Sequence, residues 1–215
     1  MITTTRRSAG RPTKDEAAAI DNRILDCART AFCRQGISAC AVDEIAADAG
    51  VTKHTIYRRY PTKIALIDAV VDRKLAELKM LVEAESDAAH DPVETLRLRA
   101  LRLFTHQTEP DNLAFILFLE AEAAFSPELR ERFAAWEGIV TGPLCEVLAE
   151  AKAQGRMPGR EVEATCAMLG DLLHGASQRL FASGHAADGP AVTAMFDLRW
   201  SLFCDAVFRR PPQQG

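Results

Sequence analysis

The chain has 215 residues, of which 48% are hydrophobic and 7% aromatic, and its formal net charge is −4. This length suits one large domain or two unequal ones, and the scarcity of alternating β-branched runs favours helices throughout. No stretch reaches the ~18 apolar residues of a membrane span. In an export signal an apolar segment would follow basic residues such as Arg6 and Arg7, and this sequence has no such segment there. We therefore expect a soluble, cytoplasmic protein with no membrane partner.

The first predicted element is a basic arm, residues 1–19, which lacks apolar periodicity and is expected to be disordered. From Ile20 onward, apolar positions recur every three or four residues, which predicts a first helix ending at Gly36. A short second helix is predicted over residues 42–49. It lacks a side-chain cap, because Ala41, the residue before it, has no polar side-chain atom.

Gly50 is predicted to end this second helix, because the following turn needs a left-handed conformation that glycine adopts at little cost. Thr52 is then a suitable N-cap for a third helix over residues 53–60. Two short helices joined by a tight turn form a helix-turn-helix pattern. Residues 20–63 are accordingly assigned to a DNA-binding domain.

Residues 64–210 are predicted to form a larger helical domain, followed by a frayed tail, residues 211–215. The sixth helix is so apolar that burial on nearly all sides is expected, and the seventh should bend or break at Gly142-Pro143. The predicted fold is therefore all-α with about nine helices. Helices four to nine are predicted to begin near residues 62, 92, 112, 127, 161 and 190.

The charge is distributed unevenly between these two domains. Residues 1–63 carry 11 Lys or Arg against 7 Asp or Glu, whereas the remainder carries 15 against 23. A basic domain joined to an acidic one suits a protein that presents one face to phosphate.

The six cysteines stand singly, without the paired spacing of a zinc site. We interpret them as small core residues in a reducing compartment, with a redox role for one of them left open.

A family resemblance lies in the run Asp43-Glu44-Ile45-Ala46, then Ala49-Gly50-Val51-Thr52, then Lys53-His54-Thr55-Ile56-Tyr57-Arg58-Arg59-Tyr60-Pro61-Thr62-Lys63, and Leu66. This run is similar to the signature of the TetR family. The resemblance implies a helix-turn-helix domain, a helical body that dimerises and binds a ligand, and a role in transcription regulation. Residues 118–133 also resemble the AefR-like branch of that family.

The resemblance places the DNA-binding surface on the third helix. Side chains at the leading end of this helix can meet base edges in the major groove, whereas Tyr57 and Lys63 are expected at the DNA backbone. The arm around Arg7 and Arg11 resembles arms that enter the minor groove, although a merely solvated basic tail is the alternative. The predicted DNA-binding residues are Arg7, Arg11, Thr52, Lys53, His54, Thr55, Tyr57, Arg58 and Lys63.

The resemblance also implies a homodimer that binds a palindromic operator and is released by a small-molecule effector, expected to be largely apolar. The last two helices are expected to form the dimer interface, although their apolar stripes also suit the core of a single protomer. The predicted dimer residues are Leu169, Gly170, Leu173, Ala176, Leu180, Met195, Leu198 and Leu202. The predicted effector residues are Phe104, Phe115, Phe118, Glu122, Trp136, Met168, Leu172 and His174.

Two rival functions are weighed against a ligand-released repressor. A ligand-independent regulator or activator would share the same DNA-binding domain and is favoured if the body is solidly packed. A metal-dependent helical-bundle enzyme could use Asp171 and His174, but no Glu-x-x-His pair repeats elsewhere and no phosphate loop or nucleophile elbow is present. We therefore expect no enzyme activity, no cofactor and no metal.

Overall fold

A computed structural model describes residues 13–83, 91–183 and 189–208. Within these ranges the chain forms α-helices and no strand, which confirms the all-α fold. The helices are α1 (Lys14–Ala39), α2 (Val42–Asp48), α3 (Lys53–Arg59), α4 (Lys63–Glu83), α5 (Pro92–Thr108), α6 (Pro110–Phe125), α7 (Pro127–Ala153), α8 (Val162–Ser183) and α9 (Gly189–Val207).

The chain divides into two compact units, unit 1 (Met1–Asp72) and unit 2 (Arg73–Gly215). The division falls inside α4, later than the boundary predicted after residue 63. Within the described ranges, no helix has both the length and the apolar character needed to cross a membrane.

Helix α1 begins at Lys14, earlier than the predicted start at Ile20, so residues 14–19 belong to a helix and not to the arm. The reason is a capping box. The Thr13 hydroxyl accepts a hydrogen bond from the Glu16 amide at 3.2 Å, and the Glu16 carboxylate accepts one from the Thr13 amide at 2.8 Å. Such a box stabilises a helix start without apolar periodicity. The rest of the predicted arm lies outside the described residues.

Gly36 interrupts α1 as the sequence predicted. Its φ of 78° and ψ of 164° are not helical, and a last turn of helix follows before Cys40. A side chain would be strained at this positive φ, so glycine permits the chain to turn here. Around the turn, α1, α2 and α3 bury the core of unit 1, which contains Ile24, Ala28, Ala31, Phe32, Ile45, Ala46, Ala49 and Ile56.

Unit 2 is built around α5, which packs against α6, α7, α8 and α9. Aromatic side chains line the contact between α5 and α9. Phe104 lies 6.1 Å from Phe196, measured between ring centroids, and Phe196 stacks on Trp200 at 6.0 Å. Both phenylalanines are completely buried.

The structure corrects two predictions for unit 2. Helix α7 does not break at Gly142-Pro143 but continues through Pro143, whose carbonyl accepts a hydrogen bond from Arg99 at 2.9 Å, while a bend at this point stays a prediction. Helix α6 is not buried on nearly all sides, since Ala114 and Ala121 are exposed along it and Phe125 at its last position is 90% exposed. The tail from residue 209 lies outside the described residues.

Candidate nucleic-acid interface

The turn between α2 and α3 has the geometry of a helix-turn-helix. Ala41, the N-cap residue of α2, makes no side-chain hydrogen bond, as predicted. Gly50 adopts a φ of 63°, and the amide of Val51 donates to the carbonyl of Ala46 at 2.9 Å. Thr52 then caps α3 by accepting a hydrogen bond from the Thr55 amide at 3.2 Å. Each of these features agrees with the sequence prediction.

The apolar residues of α3 and the predicted DNA-binding residues lie on different sides of the helix. Ile56 is buried in the core of unit 1, while Thr52, Lys53, His54, Tyr57 and Arg58 are exposed. Thr55 is half-buried, with its hydroxyl 2.9 Å from that of Thr52. The structure therefore brings together on one surface those predicted residues that α3 carries. Arg7 and Arg11 lie outside the described residues.

Lys53 has an acidic partner that the sequence interpretation missed. Its ammonium lies 2.7 Å from the Asp43 carboxylate, which comes from the first turn of α2. The same nitrogen lies 6.0 Å from the centroid of the Tyr57 ring. The hydrogen bond and the charge of Asp43 raise the pKa of Lys53, so this side chain stays protonated.

Lys63 also has partners that were missed. Its ammonium donates hydrogen bonds to the carbonyls of Ile37 and Ser38, both at 3.0 Å. Two of its three donors are thus used at the end of α1. One donor is left for a phosphate, so the phosphate contact expected of Lys63 is compatible with the structure and stays a prediction.

Arg59 anchors the other end of α3. Its guanidinium lies 2.5 Å from the Asp21 carboxylate on α1. The pairs Lys53–Asp43 and Arg59–Asp21 join residues far apart in sequence, so helical spacing gives no signal for them. Together they fix α3 against α1 and α2.

The predicted effector residues have different surroundings within unit 2, and their role in binding an effector stays a prediction. Phe104 is buried against Phe196, Phe115 stacks on Phe118 with centroids 6.0 Å apart, and Trp136 is buried. Glu122 and Leu172 are half-buried, while Met168 is exposed.

A small cavity does lie between the second half of α4 and α7. Its volume is about 10 Å³, which is room for about one water molecule. None of the predicted effector residues lines it. Its lining consists of Leu75, Leu78, Lys79, Ile139, Val140 and Pro143.

His174 takes part in a polar cluster and not in an apolar pocket wall. Its Nε2 lies 3.1 Å from the Glu120 carboxylate and 2.8 Å from the Gln178 amide nitrogen. Nearby, burial raises the pKa of Glu137, with Glu120 and Asp171 contributing in the same direction and His174 opposing. Among the described residues, no three His, Cys, Asp or Glu side chains are placed to share a metal ion.

The six cysteines are free thiols, and three of them have surroundings that disfavour the reactive thiolate. Burial is the main cause that raises the pKa of Cys27, Cys40 and Cys166, and the Cys145 thiol contributes at Cys166. A raised pKa lowers the fraction of reactive thiolate.

Four predicted dimer residues are assigned wrongly. Leu169, Leu173, Ala176 and Leu180 lie in the core of unit 2, where almost none of their surface is left for a partner. Helix α8 carries two apolar stripes, and the leucine-rich one turns inward against α5, α7 and α9. On α9, by contrast, the predicted dimer residues Leu198 and Leu202 are 62% and 58% exposed, so their side chains are accessible to a partner. Gly170 and Met195 are half-buried.

Comparison with known proteins supports the helix-turn-helix interpretation. Residues 24–70 match the family model described as bacterial regulatory proteins, tetR family. The uncharacterized HTH-type transcriptional regulator TtgW of Pseudomonas putida is 30% identical over 96 residues, which span 38% of this chain and 72% of that protein. The chain belongs to the TetR family.

Other TetR-family proteins show how far the similarity extends. The HTH-type transcriptional regulator TtgR, also of Pseudomonas putida, is 33% identical over 95 residues, which span 44% of this chain and 45% of TtgR. The match thus spans less than half the length of that relative. The crystal structure of the regulator FadR from Bacillus subtilis in complex with stearoyl-CoA is similar over 86% of this chain and 98% of that chain, with a TM-score of 0.76 and 19% identity. At this identity the likeness shows the fold alone.

Proposed function

We propose that this protein is a site-specific DNA-binding transcription regulator that binds a palindromic operator as a homodimer and is released by a small-molecule effector. The observation that carries the proposal is the surface of α3, where His54, Tyr57 and Arg58 are exposed while Ile56 anchors the helix in the core. An exposed helix of this size fits the major groove, where His54 and Arg58 would reach base edges and Tyr57 the DNA backbone.

Rigid support strengthens the assignment of α3 as the recognition helix. Base reading needs side chains that start from a fixed backbone, and α3 is held at both ends. Thr52 caps its start, while Arg59 pairs with Asp21 near its end. These contacts preorganise the helix before DNA arrives.

The dimer is proposed on the outward faces of α8 and α9. Met168 and Phe181 on α8 and Leu198 and Leu202 on α9 are exposed apolar side chains. Exposed apolar groups along two helices mark a protein interface. A two-fold dimer would present two copies of α3 to successive major grooves, about 34–36 Å apart.

Release by an effector is the finer part of the proposal. Support comes from the family fold, which FadR from B. subtilis shows in complex with stearoyl-CoA. The cavity of about 10 Å³ between α4 and α7 is too small for an effector, so binding at that place would require its side chains to move apart.

Selection from a random pool of DNA duplexes tests the function. The purified chain should enrich a two-fold symmetric motif with half-sites about one helical turn apart. Its affinity for that motif should exceed its affinity for scrambled DNA by about 10³-fold or more at physiological salt. Recovery of no motif, with binding that disappears at moderate salt, would contradict the proposal and leave nonspecific phosphate attraction.

A further inference from the structure

We propose that Asp43 is a specificity-determining residue, which holds the Lys53 ammonium so that Lys53 contributes to binding a base edge and little to binding phosphate. This inference rests on the proposed function. Helix α2 would otherwise only support α3. With Asp43 it would also influence which DNA sequence is bound.

The geometry shows an ammonium fixed from two sides. Lys53 is the first residue of α3, its nitrogen lies 2.7 Å from the Asp43 carboxylate, and the Tyr57 ring lies 6.0 Å away on the next helical turn. A carboxylate and an aromatic face both attract a cation. The flexible lysine side chain is thereby given one preferred direction.

The position of Asp43 also compensates an unfavourable placement of charge. A lysine at the start of a helix lies at the positive end of the helix dipole, and the first turn of α3 has no acidic residue. Asp43 supplies the missing negative charge from the first turn of α2. The two helices are therefore joined by a pair that leaves the Lys53 charge neutralised at the surface facing DNA.

Neutralisation changes how DNA is discriminated. An ammonium has three donors, and one of them is bound to Asp43, so two are left for acceptors such as N7 and O6 of guanine. A phosphate meets a different situation, since it must displace Asp43 or approach its negative charge. Any DNA that offers Lys53 only phosphate is thus disfavoured relative to a site that offers a base edge.

Removing the Asp43 carboxylate should reduce the preference for specific over nonspecific DNA. In Asp43→Asn, Lys53 is released and becomes available for one additional phosphate contact. The affinity for nonspecific DNA should rise about two- to fivefold, the range expected for an exposed ion pair. The slope of log K against log salt should steepen by about 0.9. The ratio of specific to nonspecific affinity should fall by a similar factor.

The chain offers a matched control on the same turn of α2. Glu44 is exposed and accepts a hydrogen bond from Gln35 at 2.7 Å, with Arg34 3.9 Å away. Glu44→Gln removes the same charge as Asp43→Asn but leaves Lys53 in place. Asp43→Glu keeps the carboxylate and should retain most of the preference for specific over nonspecific DNA.

The deciding experiment is a double-mutant cycle with Lys53→Met, measured on the selected motif and on scrambled duplex of equal length over a salt series. We expect the effect of Asp43→Asn on the affinity ratio to vanish in the Lys53→Met background, while the effect of Glu44→Gln persists there.

Equal effects of both substitutions, or an undiminished Asp43→Asn effect without Lys53, would overturn this inference and leave the proposed function intact. Failure of the wild-type chain to prefer any sequence would instead overturn both. Asp43→Ser serves as a second variant, and thermal unfolding checks that each variant folds.

Discussion

Lys63 Nζ lies 3.0 Å from the main-chain oxygen of Ile37, and this contact joins the start of α4 to the end of α1. A second bond, to the carbonyl of Ser38, has the same length. These carbonyls follow the interruption at Gly36, where helical partners are missing. Lys63 is therefore a structural residue of unit 1, whatever it contributes at the DNA.

Replacing Lys63 by methionine should destabilise the protein. The change keeps most of the side-chain stem but leaves two carbonyls without their donor, so we expect a loss of about 1–2 kcal/mol in the free energy of unfolding. Urea denaturation followed by circular dichroism measures it. An unchanged midpoint, together with a DNA salt slope reduced by about one, would instead assign Lys63 to phosphate alone.

Two glycine substitutions should have opposite effects on stability. Gly50→Ala places a side chain at a φ of 63°, which costs about 1–2 kcal/mol even though the space beside Gly50 is open. Gly138→Ala lies within α7, also with open space, and should stabilise the helix by about 0.5–1 kcal/mol. Thermal unfolding of both variants checks the pair. Destabilisation by Gly138→Ala as well would show that α7 requires glycine there for another reason.

Leu198→Glu should dissociate the proposed dimer. A carboxylate in an apolar interface would weaken association by about 3 kcal/mol, roughly a hundredfold. Sedimentation equilibrium over a concentration series measures the change. Phe125→Glu is the control, because Phe125 is equally apolar and more exposed but lies at the end of α6. A wild-type chain that is monomeric at micromolar concentration would contradict the interface.

The stability of unit 2 should fall on acidification because of His106. Burial is the main cause that lowers the pKa of His106; Lys74 also lowers it, whereas Glu109 and Glu77 oppose the shift. The unfolded chain therefore takes up a proton first as the pH falls through about 6.5. The stability that neutral His106 contributes is fully present above that pH. It is lost as the pH falls further, toward the pKa of His106 in the folded state.

Denaturation of wild type and His106→Gln between pH 7.5 and 5 tests this pH dependence. The wild type should lose more stability over that range than the variant. Parallel curves for wild type and His106→Gln would rule out a role for His106.

Features set by neighbours in the sequence could be predicted from the sequence. The stop at Gly36, the turn at Gly50 and the cap at Thr52 depend on the conformation or hydrogen bonding of a few adjacent residues, and the structure has all three. The start of α1 was missed because apolar periodicity was preferred to the capping box of Thr13 and Glu16.

Features set by tertiary packing could not be predicted in this way. The partners of Lys53 and Lys63 lie on other helices, so no local pattern points to them. On α8, both an inward and an outward stripe are apolar, and only packing distinguishes the buried Leu169 from the exposed Phe181.

The central claim is that the exposed side of α3 reads bases, and comparison of the motifs bound by wild type and by a His54→Ala/Arg58→Ala variant tests it most directly. Both proteins would be used in parallel selections from one random duplex pool, after circular dichroism has shown equal helix content. We expect the variant to lose base preference at particular positions in each half-site while the spacing of the half-sites is unchanged. Identical motifs from both proteins would contradict the claim that this surface of α3 reads the operator.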